Sequence, residues 1–267
     1  MVCTGSDPRC LRAASRCRTW AVLFALAVRG SADVAQAQDN AWRVERIAWF
    51  DCETTGTDPE RDLLLEVALI VTDGELRSTA RESVVIHHEK GALDAAMWGP
   101  DRPWETSCLV ADMHAKNGLW SDLQRNHRTG SPGLRITGPN ETMADAERLL
   151  IATLAQGGVA VAGPSRTVLG GCSPWLDRYM LRRNMPTLYS MLSHRTIDSS
   201  SLKMALVTWG DQEIHKARES THRAADDVVD AVRLAARARS FIRQGSRLIG
   251  RELDTSDEAV CLGSLAV

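Results

Sequence analysis

The chain has 267 residues, of which 44% are hydrophobic and 25% are charged, and its formal net charge is −2. This composition is typical of a globular protein, and it excludes the overall basic field of a protein that binds nucleic acid along its whole surface. No apolar run approaches the roughly 18 residues that a membrane-spanning helix requires, so we expect no membrane partner.

Residues 1–43 differ from the rest and are predicted to form an N-terminal extension. Several arginines precede a short apolar run at 20–28, and Ala35-Gln36-Ala37 resembles a small-residue cleavage site. The extension is therefore a dispensable segment, a signal peptide or an organellar transit peptide. The seven cysteines include no Cys-x-x-Cys pair, which argues against a zinc site and favours a reducing compartment. We expect a cytoplasmic protein, or a mitochondrial one if the extension is a transit peptide.

The folded domain is expected to span residues 44–243, with a loose tail at 244–267. Strand patterns occur at 44–50, 63–72 and 84–87, and Asp73-Gly74 is a strong hairpin signal. Helical spacing occurs at 142–156, where Thr142 is the expected cap, and at 175–184, 202–209 and 224–243. The segments 124–140 and 163–174 are predicted to be loops. This order predicts an α/β sheet with helices on its faces.

Two carboxylates, Asp51 and Glu53, follow directly on the first predicted strand. Residues two apart in a strand point to the same face, so both carboxylates project into one site while Cys52 points away. Two hard oxygen ligands at a strand end suit Mg²⁺ or Mn²⁺. A solvated turn explains the pair equally simply, because Thr-Thr-Gly-Thr-Asp-Pro follows it.

A second acidic group, in His222-Arg223-Ala224-Ala225-Asp226-Asp227, opens the last predicted helix. Acidic residues in a first helical turn commonly complement the helix dipole, so this segment alone does not require a function. In the functional interpretation, Asp227 binds a metal ion and His222 accepts a proton from a metal-bound water. Asp177, in the helix that begins near Pro174, is by itself an ordinary surface residue.

The five residues Asp51, Glu53, Asp177, His222 and Asp227 reproduce, in order, the motifs of the 3′→5′ exonucleases with four acidic residues and one histidine. Within that family the chain resembles oligoribonuclease, from about Arg46 to about Arg243. The matching blocks are WFDCETTGTDPERD at 49–62, EVA at 66–68, VTD at 71–73, MHAKNGL at 113–119, GCS at 171–173 followed by Asp177-Arg178, and RTIDSSSLK at 195–203.

This resemblance implies a ribonuclease-H-like fold, a mixed sheet flanked by helices. It implies that two Mg²⁺ or Mn²⁺ ions, roughly 4 Å apart, are held by the four carboxylates while His222 is the general base. The implied reaction is 3′→5′ hydrolysis of short single-stranded RNA to 5′-mononucleotides. The implied substrate contacts are Thr55, Gly56, Thr57, His114, Arg195 and Ser200. In a homodimer, Arg195 and Ser200 would cap the 5′ phosphate in the partner's site.

The chain departs from the family pattern around the substrate rather than at the carboxylates. Thr57 stands where the family usually has Leu, Cys172 where it has Asn, His194 where it has Tyr, and Val229-Asp230 where Arg-Ser is common. One alternative is therefore a broader exonuclease on single-stranded DNA or longer RNA, with stacking surfaces from Trp98, Trp104 and Trp120 and charges from Arg125 and Arg128. The other alternative is a nucleic-acid-binding module without catalysis, which has no use for four clustered carboxylates.

Overall fold

The computed structural model describes residues 43–100, 103–125, 142–160, 167–209 and 220–249. The predicted extension up to residue 42, most of the predicted loop at 124–140, including Arg128, and the tail beyond residue 249 lie outside these described residues. Among the described residues, no helix is long and apolar enough to cross a membrane.

Five strands form one mixed sheet in the order β3-β2-β1-β4-β5. They are β1 (Arg46–Thr54), β2 (Leu64–Asp73), β3 (Ser78–Val85), β4 (Val168–Gly171) and β5 (Thr196–Asp198). The first three strands pair antiparallel, whereas β4 runs parallel to β1 and β5 runs parallel to β4. The predicted hairpin turn at Asp73 joins β2 to β3, with the Leu76 N–H donating to the Asp73 carbonyl at 3.0 Å.

The described residues form eight helices: α1 (Lys90–Trp98), α2 (Trp104–Lys116), α3 (Leu119–Arg125), α4 (Met143–Gln156), α5 (Trp175–Asn184), α6 (Pro186–Ser190), α7 (Ser199–Trp209) and α8 (Ala224–Ile249). Thr142 caps α4 as predicted, because its hydroxyl accepts a hydrogen bond from the Asp145 N–H at 3.2 Å. Helices flank the five-stranded sheet, so the predicted mixed sheet flanked by helices is confirmed.

The central strand β1 is buried on both faces from Ile47 to Phe50, which explains why these four consecutive residues are apolar. Ala48 and Phe50 face the core that contains α4, α5 and α6. Ile47 and Trp49 face α8, whose Val228 lies in the same cluster. The alternation along β1 therefore decides which side chains reach the helix α8 and the site beside it.

Several boundaries differ from the sequence predictions. β1 continues to Thr54, so Asp51 and Glu53 lie inside the strand rather than after it. The predicted loop at 163–174 contains β4, α7 begins at residue 199 rather than 202, and the predicted tail from residue 244 is wrong at its start because α8 continues to residue 249. The sequence patterns did not predict α1, α2, α3, α6 or β5.

Candidate active site

The end of β1 and the beginning of α8 bring acidic side chains together on one face of the sheet. Asp51 and Glu53 continue the alternation of Ile47 and Trp49, which pack against α8. Asp227 lies in the first turn of α8. Ligand atoms of Glu53, His222 and Asp227 all lie within 4.8 Å of one another. The structure thus brings together three of the five residues that the sequence singled out, with Asp51 on the same strand face.

Asp177 approaches β1 from the opposite face of the sheet. It lies in the first turn of α5, whose Met180 packs in the same core as Phe50. Its carboxylate accepts hydrogen bonds from the Cys52 N–H and from the Cys52 thiol. Cys52 therefore points away from Glu53, as strand alternation predicted, and contacts another acidic residue of the predicted set.

Burial raises the pKa of all four carboxyl groups. Burial and the nearby charge of Asp177 raise the pKa of Asp51 well above its usual value. Burial, then Glu66 and Asp227, raise the pKa of Glu53 to about 8, and burial raises the pKa of Asp177 to about 7. Burial also raises the pKa of Asp227. Carboxylates this close ionise together only when a cation neutralises them, so the oxygen donors fit divalent metal ions.

His222 is exposed and is held through its backbone. Its φ of 51° lies in the left-handed region, which non-glycine residues rarely adopt. The His222 N–H donates to the Ser220 hydroxyl at 3.0 Å, and that hydroxyl donates to Asp227 at 2.7 Å. The His222 carbonyl accepts a hydrogen bond from the Asn117 side-chain amide. Among the described residues, no hydrogen bond engages the imidazole, which leaves it available as a base.

The residue after His222 anchors α8 to the sheet. The Arg223 guanidinium lies between Glu66, at 3.1 Å, and Asp122, at 2.9 Å. Glu66 also accepts a hydrogen bond from the Ala224 N–H at 3.1 Å, and it pairs with Glu53 in the sheet register. Glu66 is thus a buried carboxylate already neutralised by Arg223. Sequence reasoning missed its role, although a charged residue inside an apolar strand was a visible signal.

A pocket of about 640 Å³ opens beside these carboxylates. Its lining includes four of the predicted catalytic residues: Asp51, Glu53, His222 and Asp227. Its lining also includes three basic residues that the sequence analysis did not select: Lys203, Arg233 and Arg237. Cys172, which replaces the family's Asn, lines the same pocket. The acidic and basic side chains therefore share one cavity.

The predicted substrate contacts after β1 divide into buried and exposed residues. Thr55 is fully buried, and its hydroxyl donates to Asp62 at 2.9 Å. His114 is also fully buried, with its Nε2 at 3.0 Å from the Thr54 carbonyl. Gly56 is buried and Thr57 is exposed. Thr55 and His114 therefore stabilise the loop after β1 through buried hydrogen bonds, whereas the side chain of Thr57 lies on the surface of that loop.

Arg195 and Ser200, the predicted phosphate cap, do not line the pocket of their own chain. The Ser200 hydroxyl donates to Asp198 at 2.7 Å and lies 2.9 Å from the Ser173 hydroxyl. The Arg195 carbonyl accepts a hydrogen bond from Arg178 at 3.0 Å. The structure of a single chain therefore does not test the predicted phosphate cap.

Sequence comparisons with known proteins agree on the class of enzyme. The sequence profile of an exonuclease family, RNase T, matches residues 48–95. The chain is 32% identical over 189 residues to a probable oligoribonuclease of Caenorhabditis elegans, covering 70% of this chain and 84% of the relative. It is 30% identical over 189 residues to an oligoribonuclease of Pseudomonas aeruginosa, covering 70% and 91%. Among solved structures, exonuclease I of Methylocaldum szegediense is 16% identical with a TM-score of 0.47, and the match covers 73% of this chain and 40% of that one.

Proposed function

Because the chain belongs to the oligoribonuclease family, we propose that it removes 5′-mononucleotides one at a time from the 3′ end of short single-stranded RNA. The observation that carries this proposal is the group formed by Glu53, His222 and Asp227 beside Asp51 in one pocket. A carboxylate cluster with an available imidazole suits hydrolysis of a phosphodiester.

The four carboxylates would hold the metal ions, which we propose are two Mg²⁺ or Mn²⁺. When bound, such ions lower the pKa of the attacking water and stabilise the leaving 3′ oxygen. Asp51, Glu53 and Asp227 present oxygens on the α8 face, and Asp177 adds one from the other side of β1. His222 accepts the proton of the attacking water at a ring nitrogen. Glu53 and Asp177 are buried, whereas Asp51 and Asp227 are partly exposed and line the open pocket.

We propose that the protein acts as a homodimer, in which Arg195 and Ser200 of the partner subunit cap the 5′ phosphate. The support is that neither residue lines the pocket of its own chain. An arginine suits this role because its planar fork donates paired hydrogen bonds to phosphate oxygens. A dimeric mass in light scattering would support this part of the proposal, and a monomeric mass of the active protein would overturn it.

We place the protein in a reducing compartment, the cytoplasm, or the mitochondrion if residues 1–43 are a transit peptide. Three cysteines of the described part, Cys52, Cys108 and Cys172, are free thiols. Fractionation of cells that express a C-terminally tagged full chain tests this placement. Recovery of the protein outside the cell would contradict it.

The second candidate function is a broader exonuclease, and one observation favours it. Trp98 and Trp104 are exposed, at 46% and 68%, and their ring centroids lie 5.6 Å apart. Exposed aromatic pairs can stack with the bases of longer strands. Trp120, by contrast, is half-buried and packs with Leu65.

A length and sugar series separates the two functions. RNA and DNA strands of two to about twenty nucleotides, labelled at the 5′ end, would be digested with Mg²⁺ or Mn²⁺. An oligoribonuclease degrades the shortest RNAs fastest. On a denaturing gel, its labelled products shorten by one nucleotide at a time. Equal rates for long and short strands, or for DNA and RNA, would favour the broader exonuclease. Cleavage within the strand would contradict both functions.

A further inference from the structure

The pocket that contains the carboxylates also has a basic wall, which the proposed reaction does not use. Arg233 and Arg237 lie four residues apart on α8 and therefore on the same face of that helix. Lys203 contributes from α7. All three line the same cavity of about 640 Å³ as Asp51, Glu53 and Asp227.

The three cations differ in whether they are already paired. Arg233 forms an ion pair with Asp230 at 3.0 Å, and Asp230 also lines the pocket. Within the described part of the chain, Lys203 and Arg237 have no ion pair or hydrogen bond. Two basic groups that line one cavity and have no ion-pair partner among the described residues are an attractive place for anions.

The other arginines near the end of α8 behave differently. Arg239 and Arg243 both pair with Glu75, the latter at 2.7 Å, and neither lines the pocket. The absence of a partner for Arg237 among the described residues is therefore not a general property of this helix. It distinguishes Arg237 from Arg233, which lines the cavity but pairs with Asp230, and from the two arginines that pair with Glu75.

The spacing along α8 defines which part of a substrate Arg237 can reach. Ten residues separate Asp227 from Arg237, which corresponds to about 15 Å along a helix at about 1.5 Å per residue. Ala231 and Leu234 line the cavity between them. Arg237 therefore lies well beyond the first turn of α8, where Asp227 contributes to the carboxylate cluster.

We propose that Arg237 and Lys203 form a phosphate subsite that binds the backbone of single-stranded RNA on the 5′ side of the scissile phosphodiester. This inference rests on the proposed function and extends its substrates to strands of three or more nucleotides. A guanidinium and an ammonium group both form charge-assisted hydrogen bonds to phosphate oxygens. A dinucleotide with a 5′ hydroxyl has no phosphate beyond the scissile one, so it does not use this subsite.

The decisive experiment compares KM and kcat for a dinucleotide with a 5′ hydroxyl and a five-nucleotide RNA. Arg237→Ala is expected to raise KM for the five-nucleotide RNA about threefold to tenfold, the range of one partly exposed charged contact, without changing kcat. KM for the dinucleotide stays at the wild-type value. Lys203→Ala is expected to raise KM for the five-nucleotide RNA as well. Arg237→Lys should raise it less than Arg237→Ala does, because lysine keeps the positive charge.

Salt dependence adds a readout that a structural role would not change. The slope of log kcat/KM against log salt for the five-nucleotide RNA should fall by roughly 0.7 in Arg237→Ala, as for one lost phosphate contact on a single strand. Arg243→Ala is the matched control, because it removes the same charge from the same helix outside the pocket. This control should leave both KM values and the salt slope unchanged.

Each result decides between the subsite and the proposed function. Equal effects of Arg237→Ala on both substrates, or no effect on either, would overturn the subsite. Absence of cleavage by the wild-type protein at every length would overturn the proposed function instead. Fluorescence anisotropy of the five-nucleotide RNA, with and without Arg237→Ala in an Asp227→Asn protein, then still decides the subsite, because it requires no hydrolysis. Unchanged affinity in that pair would overturn it.

Discussion

At the scale of a single residue, Glu53 shows why the ionised carboxylates of the site need a cation. It is buried, it pairs with Glu66 across the sheet, and its pKa is raised to about 8 by burial and then by Glu66 and Asp227. Between the usual value of 4.5 and about 8, the folded metal-free protein therefore binds more protons than the unfolded chain. Stability must then fall as pH rises through this window.

We predict that the melting temperature of the protein in EDTA falls between about pH 5 and pH 8, and that Glu53→Gln reduces this fall, because the amide cannot titrate. Divalent metal should restore stability at the alkaline end in the wild type only. Differential scanning calorimetry measures both effects. Glu60→Gln, in the exposed loop after β1, is the control. An identical pH dependence in Glu53→Gln and wild type would show that Glu53 does not carry this charge.

His222 can be tested through the pH dependence of the rate. We predict that His222→Ala lowers kcat by about 10²–10⁴, the usual contribution of a general base. Part of the loss should be recovered at alkaline pH, where hydroxide replaces the missing base. Ser220→Ala is a useful comparison, because it removes the hydrogen bonds to the His222 N–H and to Asp227 but leaves the imidazole. An unchanged rate and pH profile in His222→Ala would assign His222 a structural role.

At the scale of the elements, the alternation of β1 was sufficient to predict that Asp51 and Glu53 share a face and that Cys52 does not. β4 was mistaken for a loop because Gly170 and Gly171 are ordinarily turn residues. The structure gives the reason for a glycine here: a Cβ on Gly170 would lie 2.5 Å from the ring of Trp49, its neighbour in the sheet. That contact comes from strand pairing, which local sequence does not encode.

The anchor of α8 is an element-scale prediction. Arg223→Ala leaves Glu66, whose side chain is 1% exposed, as a buried carboxylate without its guanidinium partner. We predict a loss of about 3–5 kcal/mol in the free energy of unfolding, the usual cost of breaking a buried pair. Urea denaturation measures it. Arg243→Ala, which breaks the exposed pair with Glu75, should cost less than about 1 kcal/mol. Equal losses in the two variants would contradict the anchor.

At the scale of the whole molecule, the site is assembled from segments that lie far apart in the chain. Asp51, Asp177 and Asp227 come from β1, α5 and α8. Their order could be recognised from motifs, but their approach from two faces of β1 could not. The basic wall formed by Lys203, Arg233 and Arg237 could not be predicted either, because it depends on how α7 packs beside α8. Arg195 and Ser200 remain a prediction that a single chain does not test.

The folded domain begins near Val44. Val44 packs at the edge of the cluster between β1 and α8, and β1 begins at Arg46. We predict that protein beginning near Val44 folds and hydrolyses RNA like the full chain. Circular dichroism and the rate on a five-nucleotide RNA would compare the two proteins. A shortened chain that fails to fold would show that residues 1–43 are needed by the domain.

The central claim is that the carboxylate cluster catalyses metal-dependent hydrolysis from the 3′ end of RNA. Its most direct test follows a 5′-labelled RNA of five nucleotides over time, with wild type and Asp227→Asn, in Mg²⁺ or Mn²⁺ and in EDTA. The account predicts a ladder that shortens by one nucleotide per step, only for wild type with metal. Activity that persists in EDTA, or that is undiminished in Asp227→Asn, would contradict it.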